Sequence, residues 1–115
     1  MSNNIPDFTK IELQVVATAL RERYAEVIDL QLADAEMQID KGSGEKVECP
    51  VVFWRQQGAS FVVYKMGDKR FAGRYFYTPR EQFRPAEDEY DEVGDCVLAL
   101  LVVQADHEAQ RAGSI

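Results

Sequence analysis

The chain has 115 residues, 46% of them hydrophobic, with 20 acidic against 13 basic side chains and a formal net charge of -7. That length suits one domain over residues 1–115, burying roughly two thirds of its unfolded surface, and the acidity works against nucleic acid or an anionic membrane as a partner of the whole molecule. The first residues lack the basic start and apolar core of a secretory signal, and no run approaches the roughly 18 apolar residues of a membrane span, so the expected location is the cytoplasm.

Thr9-Lys10-Ile11-Glu12 has the spacing of a capping box and predicts a helix start. Leu13, Val16, Leu20, Tyr24 and Val27 then recur on one helical face, which reads as packing and offers no chemistry. The period next shifts from 3.6 to 2. Ile28, Leu30 and Leu32 alternate with polar residues, after which the apolar set changes phase to Ala33, Ala35, Met37 and Ile39, as a β-bulge would produce. Helix is the competing reading of Leu32 to Met37. Asp40 to Lys46 reads as a loop, and Gly42-Ser43-Gly44 within it joins two strands rather than opening a helix, unlike a phosphate cradle.

Val47 to Tyr77 carries β-branched and aromatic residues between two short turns, the pattern of an antiparallel meander. With Gln57-Gly58 and Gly67-Asp68 as the central turn residues, Trp54 faces Phe61, Tyr64 faces Phe71 and Lys65 faces Arg70. Pairing Ile39 with Val47 extends the sheet by one strand. It also sets Met37 opposite Cys49, Ala35 opposite Val51 and Ala33 opposite Phe53. Pro50 cannot donate a ladder hydrogen bond, which favours a strand beginning at Val51.

Alternation sorts this meander into two faces. Val51, Phe53, Val62, Tyr64, Met66, Phe71, Tyr75 and Tyr77 form the expected core side. The other side carries Val52, Trp54, Phe61, Val63, Lys65, Arg70 and Arg74, and reads as exposed to solvent, with Asp34, Glu36, Gln38 and Glu48 at its far end. Lys65 opposite Arg70 is a like-charge pair that calls for a neighbouring anion. Between Lys65 and Arg84 there are six basic residues and two acidic, whereas Glu87 to Asp95 holds six acidic and no basic. The acidic run either folds back on the basic one or meets it in a second chain.

Thr78-Pro79-Arg80-Glu81 suggests a short second capped helix, and Pro85 the opening of the final helix, whose start Glu87, Asp88, Glu89, Asp91 and Glu92 would favour. Tyr90, Val93, Val97, Leu100, Leu101 and Gln104 share a face, but Cys96 to Val103 is apolar all round. Such a helix is expected between the sheet and a second copy of the chain; a buried strand is the alternative. Cys49 and Cys96 read as reduced core thiols. His107, the one histidine, reads as a surface imidazole with no metal-pair spacing. No catalytic motif, metal site or cofactor is expected.

Arg70 to Tyr77 lacks the glycine after its first basic residue that the aromatic strand of an RNA-recognition motif would have. The β-α-β-β-α-β order is absent too, so no family is recognised. The expectation is an α+β fold, α-β-β-β-β-α, with both long helices on one face of an antiparallel sheet. Its function would be that of a non-catalytic binding or assembly module. Trp54, Phe61, Lys65, Arg70 and Arg74 would contact an acidic protein segment, with Glu87, Asp88, Glu89, Asp91 and Glu92 of a second copy as one candidate. Two alternatives are binding of RNA or single-stranded nucleic acid, since aromatic platforms beside cations hold bases, and an enzyme without a recognisable motif.

Overall fold

In the computed structural model, residues 5–37, 42, 44, 46–78, 80–85 and 87–113 are described, with side chains as far as Gln110. Helix α1 (Lys10–Tyr24) begins at the capping box: Thr9 Oγ1 accepts from the Glu12 amide at 3.0 Å and Glu12 Oε1 accepts from the Thr9 amide at 2.9 Å. It stops where Ala25 enters the left-handed region at φ 60° and donates its N–H to the Arg21 carbonyl. Val16 and Leu20 are buried, with Leu13 and Tyr24 packed on the same cluster. Val27, which the spacing assigns to that face, lies beyond the turn at Ala25 and is exposed.

Strands β1 (Gln31–Met37), β2 (Val47–Gln56), β3 (Ala59–Gly67) and β4 (Arg70–Phe76) form one antiparallel sheet in sequence order. The β1–β2 ladder is continuous from Gln31↔Phe53 to Met37↔Val47, so the bulge expected in β1 is absent. Leu32 points to the helix side beyond the helices' reach and stays exposed, which is why apolar residues fall on both parities. Val47 meets Met37, two residues from the expected register, an even shift that keeps every side chain on its face. Ile39, Gln38 and most of the expected 40–46 loop lie outside the described residues. Pro50 is inside β2, just past Val51↔Tyr64, where the β2–β3 ladder ends.

The first hairpin turns at Gln57-Gly58 as read. Both residues have positive φ, 56° and 82°, the geometry whose twist suits a two-residue hairpin. The second does not. Lys65 pairs with Phe71 and Gly67 with Arg70, leaving Met66 as a bulge and moving the turn to Asp68-Lys69.

Helix α2 (Val93–Gly113) confirms the helical reading of 96–103 and packs on β3, β4 and α1. Its seat is Gly73, where a Cβ would lie 2.7 Å from Leu100 Cδ1. Trp54, Phe61 and Tyr75 form a ring stack, with centroids 5.2 and 5.9 Å apart, in one cluster with Val16, Leu20, Val97 and Leu100. The fold is α+β with both helices on one sheet face.

The short helix expected at Thr78 does not appear among the described residues of 78–92, and the final helix begins at Val93, not at Pro85. Instead Tyr90 and Phe71 exchange both backbone hydrogen bonds at 2.8 Å, and Phe83 and Tyr75 do so at 2.8 and 2.9 Å. β4's free edge satisfies those groups in extended form, and the edge is thereby covered. No helix among the described residues is long and apolar enough to cross a membrane.

Candidate interaction surface

The bulge at Met66 decides which side chains share a surface. Up to Lys65 the expected parity holds, and beyond it β4 is turned over: Phe71, Gly73 and Tyr75 face the helices, while Arg70, Ala72, Arg74 and Phe76 face away. The five residues assigned to one binding face are therefore split between two. Trp54, Phe61 and Lys65 lie under the helices at 1%, 0% and 1% exposure and cannot form a contact surface. Arg70 and Arg74 are on the opposite side.

Lys65 is buried with its charge matched locally. Its Nζ donates to Glu12 Oε1 at 2.8 Å and to the Asp7 carbonyl at 2.9 Å, and lies 6.0 Å from the Phe8 ring centroid. The anion it requires is thus the carboxylate that caps α1.

The side without helices is built in cross-strand rows. Arg55, Ser60 and Phe76 make one, Gln31, Phe53, Val62 and Arg74 the next, and Ala33, Val51, Tyr64 and Ala72 the third. At the far end Cys49, Met66 and Ala72 are buried beneath Ile5, Met37 and Tyr64. Phe53, Val62, Tyr64, Arg74 and Phe76 are half-buried and Arg55 is exposed. Burial lifts the Tyr64 phenol above its ordinary value, with Arg74 pulling it part of the way back.

Charge on the strands is sorted by face, with Lys65 the exception. The three strand carboxylates, Asp34, Glu36 and Glu48, all lie on the helix side, and three of the four strand cations, Arg55, Arg70 and Arg74, lie on the open side. Among the described strand residues the open face carries no carboxylate of its own, and Glu89, from the segment alongside β4, reaches it at Arg70. It is a basic and aromatic surface, with a membership different from the one expected.

The acidic run is engaged within the same molecule. Glu89 accepts two hydrogen bonds from Arg70, at 2.9 and 2.7 Å, and Asp88 pairs with Arg84. The Arg70 hydrogen bonds hold the Glu89 carboxyl below its ordinary range, against a smaller desolvation effect. Glu89 and Asp88 thus meet cations of the same chain, as the fold-back reading of the acidic run expects.

His107 is half-buried rather than freely exposed. Its Nδ1 lies 3.3 Å from the Tyr75 hydroxyl, and its ring packs 4.6 Å from Phe83. Beside it the Tyr77 hydroxyl donates to Glu108 at 2.6 Å and accepts from Gln104 at 3.3 Å. Burial pushes Tyr75 up to about 12, with Tyr77 and Glu108 adding to the effect. Both cysteines are free and buried. Desolvation raises Cys49 and pushes Cys96 to about 12, leaving neither thiol poised as a nucleophile. Among the described residues no group of three or more His, Cys, Asp or Glu could hold a metal.

Neither family models, curated proteins nor solved structures show a match to this chain.

Phe53, Arg55, Val62, Tyr64 and Phe76 are the surface residues that sequence reasoning missed or assigned to the core. Their shared parity with Arg74 depends on Met66, and no turn residue marks that bulge.

Proposed function

We propose that the protein is a non-catalytic binding or assembly module whose open sheet face takes an acidic, partly apolar protein segment. The sorting of strand charges supports this reading: an apolar and aromatic centre flanked by arginines, with no strand carboxylate among them, attracts a segment that presents carboxylates and aliphatic side chains. Arginine beside aromatic rings suits such contacts, because its planar fork pairs with carboxylates while its face stacks. Protein is favoured over nucleic acid because only three arginines stand on the face, one of them already bonded to Glu89, and few phosphates could be neutralised.

The test is a titration of the protein with a synthetic peptide alternating Glu and Leu, followed by amide chemical shifts, with a Lys and Leu peptide as control. Shifts should concentrate at Phe53, Val62, Tyr64, Arg74 and Phe76, fade with salt, and weaken several-fold in Arg55→Glu. Equal response to both peptides, or none, would overturn the reading. Tighter binding of a single-stranded oligonucleotide with a steep salt dependence would assign the face to nucleic acid instead.

A further inference from the structure

The helix layer has an outward surface opposite in character to the sheet face. Ile11 and Val15 of α1, and Leu98 and Val102 of α2, are exposed at 73%, 38%, 54% and 58%. Ile11, Val15 and Leu98 line one groove together with Gly94 and Glu22. A second depression shares Ile11, Val15 and Gly94 and is bordered by Asp68, Asp91, Glu92 and Asp95 against a single cation, Lys69. The molecule thus carries an acidic apolar groove on one side and a basic apolar sheet on the other.

Like faces cannot pair well. Helix layer against helix layer would gather Asp91, Glu92 and Asp95 of both copies, and sheet against sheet would gather all the arginines; sheet on helix layer matches charges and covers aliphatic surface on both sides. We infer that copies of this chain associate head to tail, the open sheet face of one copy seated on the α1/α2 groove of the next. This rests on the sheet-face reading and names its acidic occupant. Such a contact is heterologous, so copies add in series into rings or open chains and do not stop at a symmetric pair. Four strands ~4.8 Å apart and about seven residues long give a face of roughly 19 by 23 Å. Counting both partners, that buries about 900 Å², below the ~1,200 Å² of standard interfaces, and makes the association weak and concentration-dependent.

Sedimentation velocity of the full chain, from dilute to near-millimolar concentration, tests this with two variants. Arg55→Glu/Arg74→Glu spoils the sheet face, with Arg55→Glu alone standing in if the double variant loses its native circular dichroism. Leu98→Lys/Val102→Lys, at two exposed positions, spoils the groove. Wild type should keep growing beyond dimer, each variant alone should lose association, and an equimolar mixture should form one-to-one dimers, because each variant retains one intact face. A wild type that stays monomeric or halts at dimer, or a mixture that stays monomeric, would overturn the inference. If the groove variant associates like wild type while the sheet variant alone fails to bind the Glu and Leu peptide, the sheet-face reading stands and the head-to-tail arrangement falls. Loss of neither peptide binding nor association in the sheet variant removes both.

Discussion

Gly73→Ala should destabilise the protein, although the same change in an ordinary strand would stabilise it by ~0.5–1 kcal/mol through the backbone entropy that glycine loses on folding. The added Cβ would sit 2.7 Å from Leu100 Cδ1, 2.8 Å from Leu100 Cγ and 3.2 Å from Cys96 Sγ, where comfortable carbon contacts are ~3.5–4.0 Å. Neither neighbour has room to retreat, since Leu100 and Cys96 are both fully buried. Overpacking of this kind costs about 1–3 kcal/mol, which outweighs the entropic gain to leave a net loss of up to about 2.5 kcal/mol and lowers the melting temperature by roughly 4 °C per kcal/mol. Urea unfolding followed by Trp54 fluorescence reads the midpoint directly. Leu100→Ala alone should cost ~2–5 kcal/mol, and in that background Gly73→Ala should become neutral or stabilising, the coupling expected of two groups in contact. A higher midpoint for Gly73→Ala in the wild-type background would refute the claim that α2 is seated on this glycine.

Glu12→Gln should destabilise more than Lys65→Met. The first leaves a buried ammonium without its counter-charge at a cost of ~3–5 kcal/mol, whereas the second replaces it with apolar volume and leaves a carboxylate still bonded to the Thr9 amide; urea midpoints in the reverse order would contradict the pairing. Arg70 and Glu89 are each about two-fifths exposed (41% and 43%), so their pair contributes well under about 1 kcal/mol. Because the folded Glu89 carboxyl is held low, that contribution is present at neutral pH and lost as pH falls through the depressed value. Glu89→Gln should flatten this part of the acid limb, and an unchanged limb would mean the pair does not hold the 80–92 segment to β4. The native thiols should resist Ellman's reagent at mildly alkaline pH and react on unfolding. Cys96, raised from 9.0 to about 12, stabilises the fold below the lower value and loses that contribution as pH climbs toward the upper one, so rapid native labelling would contradict its burial.

Local signals were legible and long-range parity was not. Thr9 to Glu12 and Gln57-Gly58 announce themselves because the groups that satisfy one another are contiguous. The β2–β3 register followed from that turn, and the four-strand order and the two helices followed from periodicity. The second hairpin offered two turns, Gly67-Asp68 and Asp68-Lys69, and nothing in residues 65–70 distinguishes a tight hairpin from one carrying a bulge. Lys65 added a false cue. A lysine among Trp54, Phe61 and Val63 makes that face look wet, but its partners Glu12 and Asp7 lie more than fifty residues upstream and only folding brings them close.

The same residue accounts for the core and for the surface. If Met66 were paired regularly, Arg70 and Arg74 would point beneath α2, and Phe71 and Tyr75 would point to solvent, away from the buried cluster they share with Trp54 and Phe61. Burying two guanidinium groups under an apolar helix costs several kcal/mol per ion without partners, and Cys96, Val97 and Leu100 offer none. The bulge therefore has to be present for α2 to pack at all. Once it is, alternation leaves Arg70 and Arg74 only the open face, where they join Arg55. The charge sorting on which the binding reading rests is then a consequence of packing the helix side, and a natural sequence could have used uncharged residues at 55, 70 and 74 at no cost to the core. Glu89 accounts for the arginine at 70; the arginines at 55 and 74, with no strand carboxylate on their side of the sheet, are the feature that packing leaves unexplained and for which the proposed acidic partner would account.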